Sequence, residues 1–223
     1  MISVMALMRT KMDLTEEQVS RGIADLPTST DPNVLGQVFN RVSDSSQKGI
    51  SYARGSFEPD AISQFFFGDI SASMMAAHAG GVGLSMCVPQ HVIEQMELIL
   101  CLQNTVLKPP ADKGGLKRMS ILRKRPDVSD EEFQDQWFNM HSILVKRLPG
   151  IQGYRQNLVL DGARNAAGER LVDGMVELWF PDGETIEAAF RSDAGITTMT
   201  HAKEFISEIN TYLVQPHEIS GCA

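Results

Sequence analysis

The 223-residue chain has little cysteine: only Cys87, Cys101 and Cys222. They are odd in number and form no CxxC pair, which excludes a disulfide framework and points to a reducing compartment, by default the cytoplasm. Long apolar runs are also missing, since nothing approaches the ~18 consecutive apolar residues that a membrane span requires. The opening "MISVMALMRTK" has neither a basic start nor a small-residue cleavage pattern, so it reads as a first strand and not as a signal peptide. Basic charge is scarce: 20 Lys and Arg against 28 Asp and Glu leave a net charge of −8. Nucleic-acid binding is therefore not expected, because it needs a basic face. The one basic run, "KRMSILRKRP" (117–126), alternates with apolar residues like a strand flanked by charges.

Several chemical signatures are absent as well. No pair of His, Cys or carboxylate side chains has metal-ligand spacing such as HxxxH or CxxC, so no metal is expected. There is no G-x-S-x-G nucleophile elbow and no dinucleotide or flavin fingerprint, so no cofactor is expected either. "GGVGLS" (80–85) is glycine-rich but follows a helix-like segment, and it reads as a helix end and not as a phosphate loop.

What the sequence does have is an internal repeat. "LMRTKMDLTEEQV" (7–19) aligns without gaps with "ILRKRPDVSDEEF" (121–133), pairing Arg9 with Arg123, Asp13 with Asp127 and Glu17 with Glu131. Both copies carry a helix-start box, Thr15…Gln18 and Ser129…Glu132, in which the hydroxyl accepts from a free backbone N–H. Further on, Gly36, Asn40 and Val42 match Gly153, Asn157 and Val159, and Gln64 matches Glu177. Each half runs strand, helix, strand, strand, helix, strand, the βαββαβ plan of a ferredoxin-like unit. Such a unit has helices on one sheet face, and its other face needs a cover. The expected fold is therefore α+β: two ferredoxin-like βαββαβ repeats packed sheet to sheet as a fused dimeric α/β barrel. The expected divisions are an N-terminal repeat (1–107), a Pro/Gly-rich linker (108–116) and a C-terminal repeat (117–223). Two unrelated α+β domains in a row are the alternative.

The second half, "ILRKRPDVSDEEFQDQWFNMHSILVKRLPGIQGYRQNLVL" with the later "VDGMVELWF" and "PHEI", resembles the EthD family of dimeric α/β-barrel proteins. The resemblance spans about 117–219 and is most specific from Trp137 through His141 to "LVKRLPGIQGY". It implies a barrel with a small-molecule cleft between helices and sheet, and it places a histidine at 141. Related barrels include cofactor-free isomerases, polyketide cyclases and quinone-forming monooxygenases, so the family specifies the fold more tightly than the reaction.

The helix expected over 130–148 puts Phe133, Trp137, Met140, Leu144 and Leu148 within an arc of about 80°, with His141 just beyond its edge. From the pattern alone His141 is either a proton-transfer group, suited by an ordinary pKa near ~6.5, or a half-buried histidine bonded to a carbonyl. Its counterpart in the first half is Ala24 or Pro27, so one cleft per chain is expected, in the C-terminal half. In "GMVELWF" alternation puts Glu177 and Trp179 on one strand face and Val176 and Leu178 on the other. Burial of Glu177 would raise its pKa and suit it to acid or base work, unless it pairs with Arg123 or Arg155. Tyr154 and Asn157 lie on opposite faces of their strand, and Tyr154 is the favoured third catalytic group. Trp137, Trp179, Phe180 and Asn157 are the expected substrate-binding residues. His78 reads as structural or solvent-facing, while His91, His201 and His217 read as isolated.

The leading functional expectation is a cofactor-independent enzyme of isomerase, dehydratase, lyase or cyclase type. It would use His141 on a small, partly apolar molecule. The alternatives are a cofactor-free, quinone-forming monooxygenase and a non-catalytic binding protein. The long polar loop 43–60, tipped by Tyr52 and Phe57, would cover a cleft or contact another chain. The fusion can satisfy the barrel within one chain, and a homodimer stays open.

Overall fold

Strand β1 (Ile2–Thr10) is buried from Val4 to Met8 without interruption, and β3 (Ala61–Phe67) is buried along its whole length. Such strands are covered on both faces. The computed structural model, which describes residues 1–11, 17, 29, 31–78, 91, 93–111 and 114–220, shows why. Eight antiparallel strands close into a barrel in the order β1-β3-β2-β8-β5-β7-β6-β4, so every strand has an inside and an outside. The remaining strands are β2 (Val34–Asp44), β4 (Ile93–Leu107), β5 (Leu116–Lys124), β6 (Gly153–Gly162), β7 (Gly174–Phe180) and β8 (Ile206–Ser220).

Within each half the strand order is fourth, first, third, second, as the ferredoxin-like plan requires. The halves meet at both edges: β4 pairs with β6, bringing Gln103 opposite Asn157, and β2 pairs with β8, bringing Asn40 opposite Pro216. This exchange leaves no open sheet edge. The two sheets thus face each other across one interior that mixes both repeats: Met5, Leu7, Ile62 and Ile99 meet Met119, Ile121, Met175 and Tyr212.

Helices cover the outside. In the N-terminal half, α1 (Ile70–His78) packs Ala72, Ala76 and Ala77 against the core built on Val4, Ala6, Met8 and Phe65. The helix-start box at Thr15…Gln18, the positions 24 and 27, the "GGVGLS" segment, Cys87 and Cys222 lie outside the described residues. In the C-terminal half, α2 (Asp130–Asp135) starts at Ser129, whose hydroxyl accepts from the Glu132 N–H as the sequence box implies. A π-helical turn (Gln136–His141), α3 (Ser142–Val145), α4 (Gly183–Arg191) and α5 (Asp193–Phe205) complete the layer.

The π-turn corrects the expectation of one regular helix over 130–148. Phe133, Trp137, His141 and Val145 recur every four residues and are all buried, whereas Met140 is 52% exposed. A 3.6-residue turn would let that spacing drift around the helix, and the wider π-turn absorbs the drift. Gln156 on β6 supports the widening, its Nε2 donating to the Trp137 carbonyl at 2.6 Å. His141 consequently faces the sheet in the place that regular helical phase would give to Met140.

Candidate functional site

The sequence-selected residues fall into two separate places, because β6 and β7 each show one face to the helices and the other to the barrel interior. His141, Trp137, Tyr154 and Phe180 lie in the helix layer. Glu177, Asn157 and Trp179 lie on the interior side.

The helix-layer cleft is enclosed by β5, β6 and β7 below and by α3, α4 and α5 above. Ile50 from the 43–60 loop forms one wall. It holds a cavity of about 50 Å³ lined by His141, Arg118, Tyr154, Leu178, Met199 and others, mostly carbon. That is room for no more than a few waters. The loop crosses from the N-terminal repeat to cover it: the Tyr52 hydroxyl donates to the Ile206 carbonyl at 2.8 Å, and the Lys48 carbonyl accepts from Arg118. Phe57, nearer the same loop's other end, is partly buried against the barrel core.

His141 is 7% exposed, and its Nδ1 lies 3.2 Å from Nδ1 of His201 on α5. One nitrogen of this pair must donate and the other accept, which fixes complementary tautomers. Desolvation, with the nearby His201 second, pushes the His141 pKa down to about 3, so the ring is neutral across the physiological range. With Nδ1 engaged, Nε2 is the nitrogen left for a ligand. Beyond it, His201 Nε2 stands 4.0 Å from the exposed Glu204 carboxylate, making a file from the cavity to solvent. His201 was read as isolated from the sequence, and the structure overturns this. The two histidines are 60 residues apart and only the packing of α5 beside the π-turn joins them.

Arg118 is the second group that sequence reasoning passed over. It is 1% exposed, and desolvation lowers its pKa to about 9, still cationic at neutral pH. Its guanidinium carbon sits 4.5 Å from the Phe190 ring centroid. Among the described residues its hydrogen-bond partner is the Lys48 carbonyl, and its buried Nε has none. The signal was present in "LKRMSIL": in a strand buried on both faces, Lys117 and Arg118 must place one charge on each side. Tyr154 is fully buried, its hydroxyl accepting from Gln156 Nε2 at 2.8 Å, and burial raises its pKa above the ordinary phenol range.

Inside the barrel, Glu177 is fully buried with Oε2 2.7 Å from Nζ of Lys117. Lys117 also donates to Asn40 Oδ1 and Gln64 Oε1, each at 3.0 Å, while Gln64 Nε2 and Asn157 Nδ2 donate to Glu177 Oε1. Burial pushes the Glu177 carboxyl up, but the Lys117 and Arg155 cations and these hydrogen bonds outweigh it and hold the pKa below the usual range. This reverses the direction expected from burial alone: Glu177 pairs with Lys117, a partner the sequence reading did not name, while Arg155 acts on it only at longer range and Arg123 pairs with Glu169 and Glu208 instead. Among the described residues, no group of three or more His, Cys, Asp or Glu side chains could hold a metal ion, and no helix is long and apolar enough to cross a membrane.

The family model described as the EthD domain matches residues 125–208, a span that contains His141, Tyr154 and His201 but stops short of Arg118. Among solved structures, an anthrone oxidase-like protein superposes with a TM-score of 0.59 at 12% identity, covering 99% of this chain and 94% of that one. A protein from Fusobacterium nucleatum subsp. nucleatum, described as a candidate monooxygenase, gives 0.58 at 12% identity, covering 99% and 95%. A major regulator of staphylococcal pathogenesis gives 0.50 at 12% identity, covering 96% and 98%. At these identities the likeness is one of fold. No curated protein sequence matches the chain.

Proposed function

Starting from the EthD domain carried by residues 125–208, we propose that the protein is an enzyme that moves a proton on a small, partly apolar organic molecule in the helix-layer cleft. The observation that carries this reading is a neutral imidazole, His141, paired through Nδ1 with His201 at 3.2 Å beside a buried guanidinium that has no carboxylate partner among the described residues. Neutral histidine, apolar walls and one fixed cation suit the abstraction of a proton next to a carbonyl or on an electron-rich ring. His141 Nε2 takes the proton, the electron pair moves onto the substrate oxygen, and Arg118 stabilises the resulting oxyanion. A base with so low a pKa is weak alone, but the imidazolium it forms lies beside the new anion, and the pair offsets its own desolvation. The proton then returns to a different atom of the substrate, giving isomerisation, or leaves through His201 toward Glu204. Tyr154, protonated at neutral pH, is a neutral hydrogen-bond donor for the cleft. Met199, flexible and unbranched, and Ile50 on the crossing loop are the wall that yields to a substrate larger than the closed cavity.

Deuterium incorporation tests the reading. A panel of enolisable ketones, lactones and phenols in D2O with the protein should show C–H exchange by NMR for at least one member. That exchange should fall by about 100-fold or more in His141→Gln and in Arg118→Met. Exchange equal to buffer for every compound, or unchanged by both substitutions, sinks the proposal in favour of non-catalytic binding.

The enclosed apolar cavity also favours a second reading, in which the deprotonated substrate reacts with molecular oxygen. The names of two fold neighbours, anthrone oxidase-like protein and candidate monooxygenase, are consistent with it. Oxygen uptake with an electron-rich phenol or anthrone, without added metal or flavin, separates it from simple proton transfer.

A further inference from the structure

A cavity roomier than the histidine cleft lies on the interior side of the sheets, between the two repeats. At one mouth of the barrel, it measures about 480 Å³ and is lined by Arg155, Lys117, Trp179, Gln64, Phe66 and Pro109, among others. That volume lies within the range of ordinary small-molecule sites. Its chemistry is one-sided, and the repeat shows how. Lys117 sits opposite Trp179 on neighbouring strands, and the matching pair in the first repeat is Ser3 opposite Phe66. Arg155 sits opposite Glu177, and the matching pair is Val38 opposite Gln64. Every charge at these paired strand positions comes from the C-terminal repeat, facing Phe66 and Val38 of the first; Lys108 of the linker and Glu218 of β8 complete the charged lining.

Of the three lining cations, the two on strands, Lys117 and Arg155, differ in availability. Lys117 already meets three acceptors, Glu177, Asn40 and Gln64. Arg155 forms no ion pair within 4 Å among the described residues, and its buried Nε has no hydrogen-bond partner. Its guanidinium carbon lies 5.6 Å from the Trp179 ring centroid, while Lys117 Nζ lies 5.3 Å from the same ring. Gly153 permits this placement, since a Cβ there would come within 2.9 Å of the indole and 2.8 Å of the Pro109 backbone. A guanidinium fork beside an aromatic face recognises a planar group bearing a carboxylate. A phosphate dianion fits less well, because Glu177 lies beneath the floor and Glu218 stands at the rim.

We propose that this barrel mouth is a second binding site, separate from the helix-layer cleft, for an aromatic monocarboxylate whose carboxylate meets Arg155 and whose ring lies against Trp179 and Phe66. Calorimetric titration with naphthoate tests it, with naphthol as the uncharged control. Naphthoate should bind at least about tenfold more tightly than naphthol, and Arg155→Met should remove that advantage. His141→Gln, in the other cleft, should leave the affinity unchanged. Trp179→Leu provides a second variant, expected to weaken both probes while the naphthoate preference survives. Absence of saturable naphthoate binding, equal binding of the two probes, or affinity that follows His141 instead of Arg155 overturns the proposal.

Discussion

The ammonium of Lys117 and the carboxylate of Glu177 meet at 2.7 Å inside the barrel, with side chains 5% and 0% exposed. The pair connects the repeats, because the same ammonium donates to Asn40 and Gln64 of the N-terminal half. A charge buried this deeply is tolerable only while its partner is present. Glu177→Gln keeps the shape but strands the ammonium. Urea unfolding should show a loss of about 3 kcal/mol. The double substitution Lys117→Met, Glu177→Leu should recover most of it, and failure to recover would show that the wider amide network carries the stability.

His141 makes stability depend on acid. Its folded pKa, about 3, lies below the ordinary value of 6.5. Between those values the unfolded chain binds the proton more readily, so unfolding is favoured as pH falls and stability rises with pH across this window. The full effect is of order 5 kcal/mol. Melting temperatures measured from pH 7 down to pH 4 should fall less steeply for His141→Gln than for the native chain.

Arg118→Met should separate stability from function. The substitution removes a buried guanidinium that lacks a carboxylate partner and retains the packing against Phe190. Exchanging such a charge for an apolar side chain of similar length is often neutral or stabilising. Denaturation should therefore place the variant within about 1 kcal/mol of the native protein, while proton exchange on a substrate falls sharply. A large stability loss would assign Arg118 to tethering the 43–60 loop through the Lys48 carbonyl.

Gly174 sets how closely the π-turn approaches the sheet. A Cβ at this position would stand 2.6 Å from Cη2 and Cζ3 of Trp137. The indole is fully buried and cannot retreat without moving the turn that carries His141. Gly174→Ala should cost about 1–3 kcal/mol and alter the near-ultraviolet circular dichroism of Trp137. It should also reduce activity more than Gly168→Ala. At Gly168 nothing lies within 4 Å, and strain at its φ of +82° is the only penalty.

The repeat, the shared strand order of both halves, the βαββαβ order of the C-terminal half and the helix start at Ser129 were legible because they depend on local pattern: apolar periodicity, matched turns and a hydroxyl three residues before a glutamate. Alternation within β6 and β7 also separated Tyr154 from Asn157, and Glu177 from Leu178. The expectation that His141 and Glu177 act in one cleft was wrong, because alternation separates the two faces of a strand without saying which one the helices cover, and the fold turns Glu177 inward. The partner of His141 was not legible, since His201 approaches through the packing of α5 and no spacing along the chain encodes that distance. Nor was the π-turn, which arises where four-residue spacing of buried side chains meets a flat sheet and an inserted Gln156 amide.

The sequence by itself determined that two similar sheets would form, that each had an apolar face to hide, and that the histidine lay in the C-terminal half. Only the tertiary structure decided how the sheets close. β4 joins β6 and β2 joins β8, because edge strands left unpaired would expose their backbone donors and acceptors. That closure made inside and outside chemically different places. It sent Lys117 and Glu177 inward as a buried pair, and Arg118 outward to line the same cavity as His141 beneath the helices.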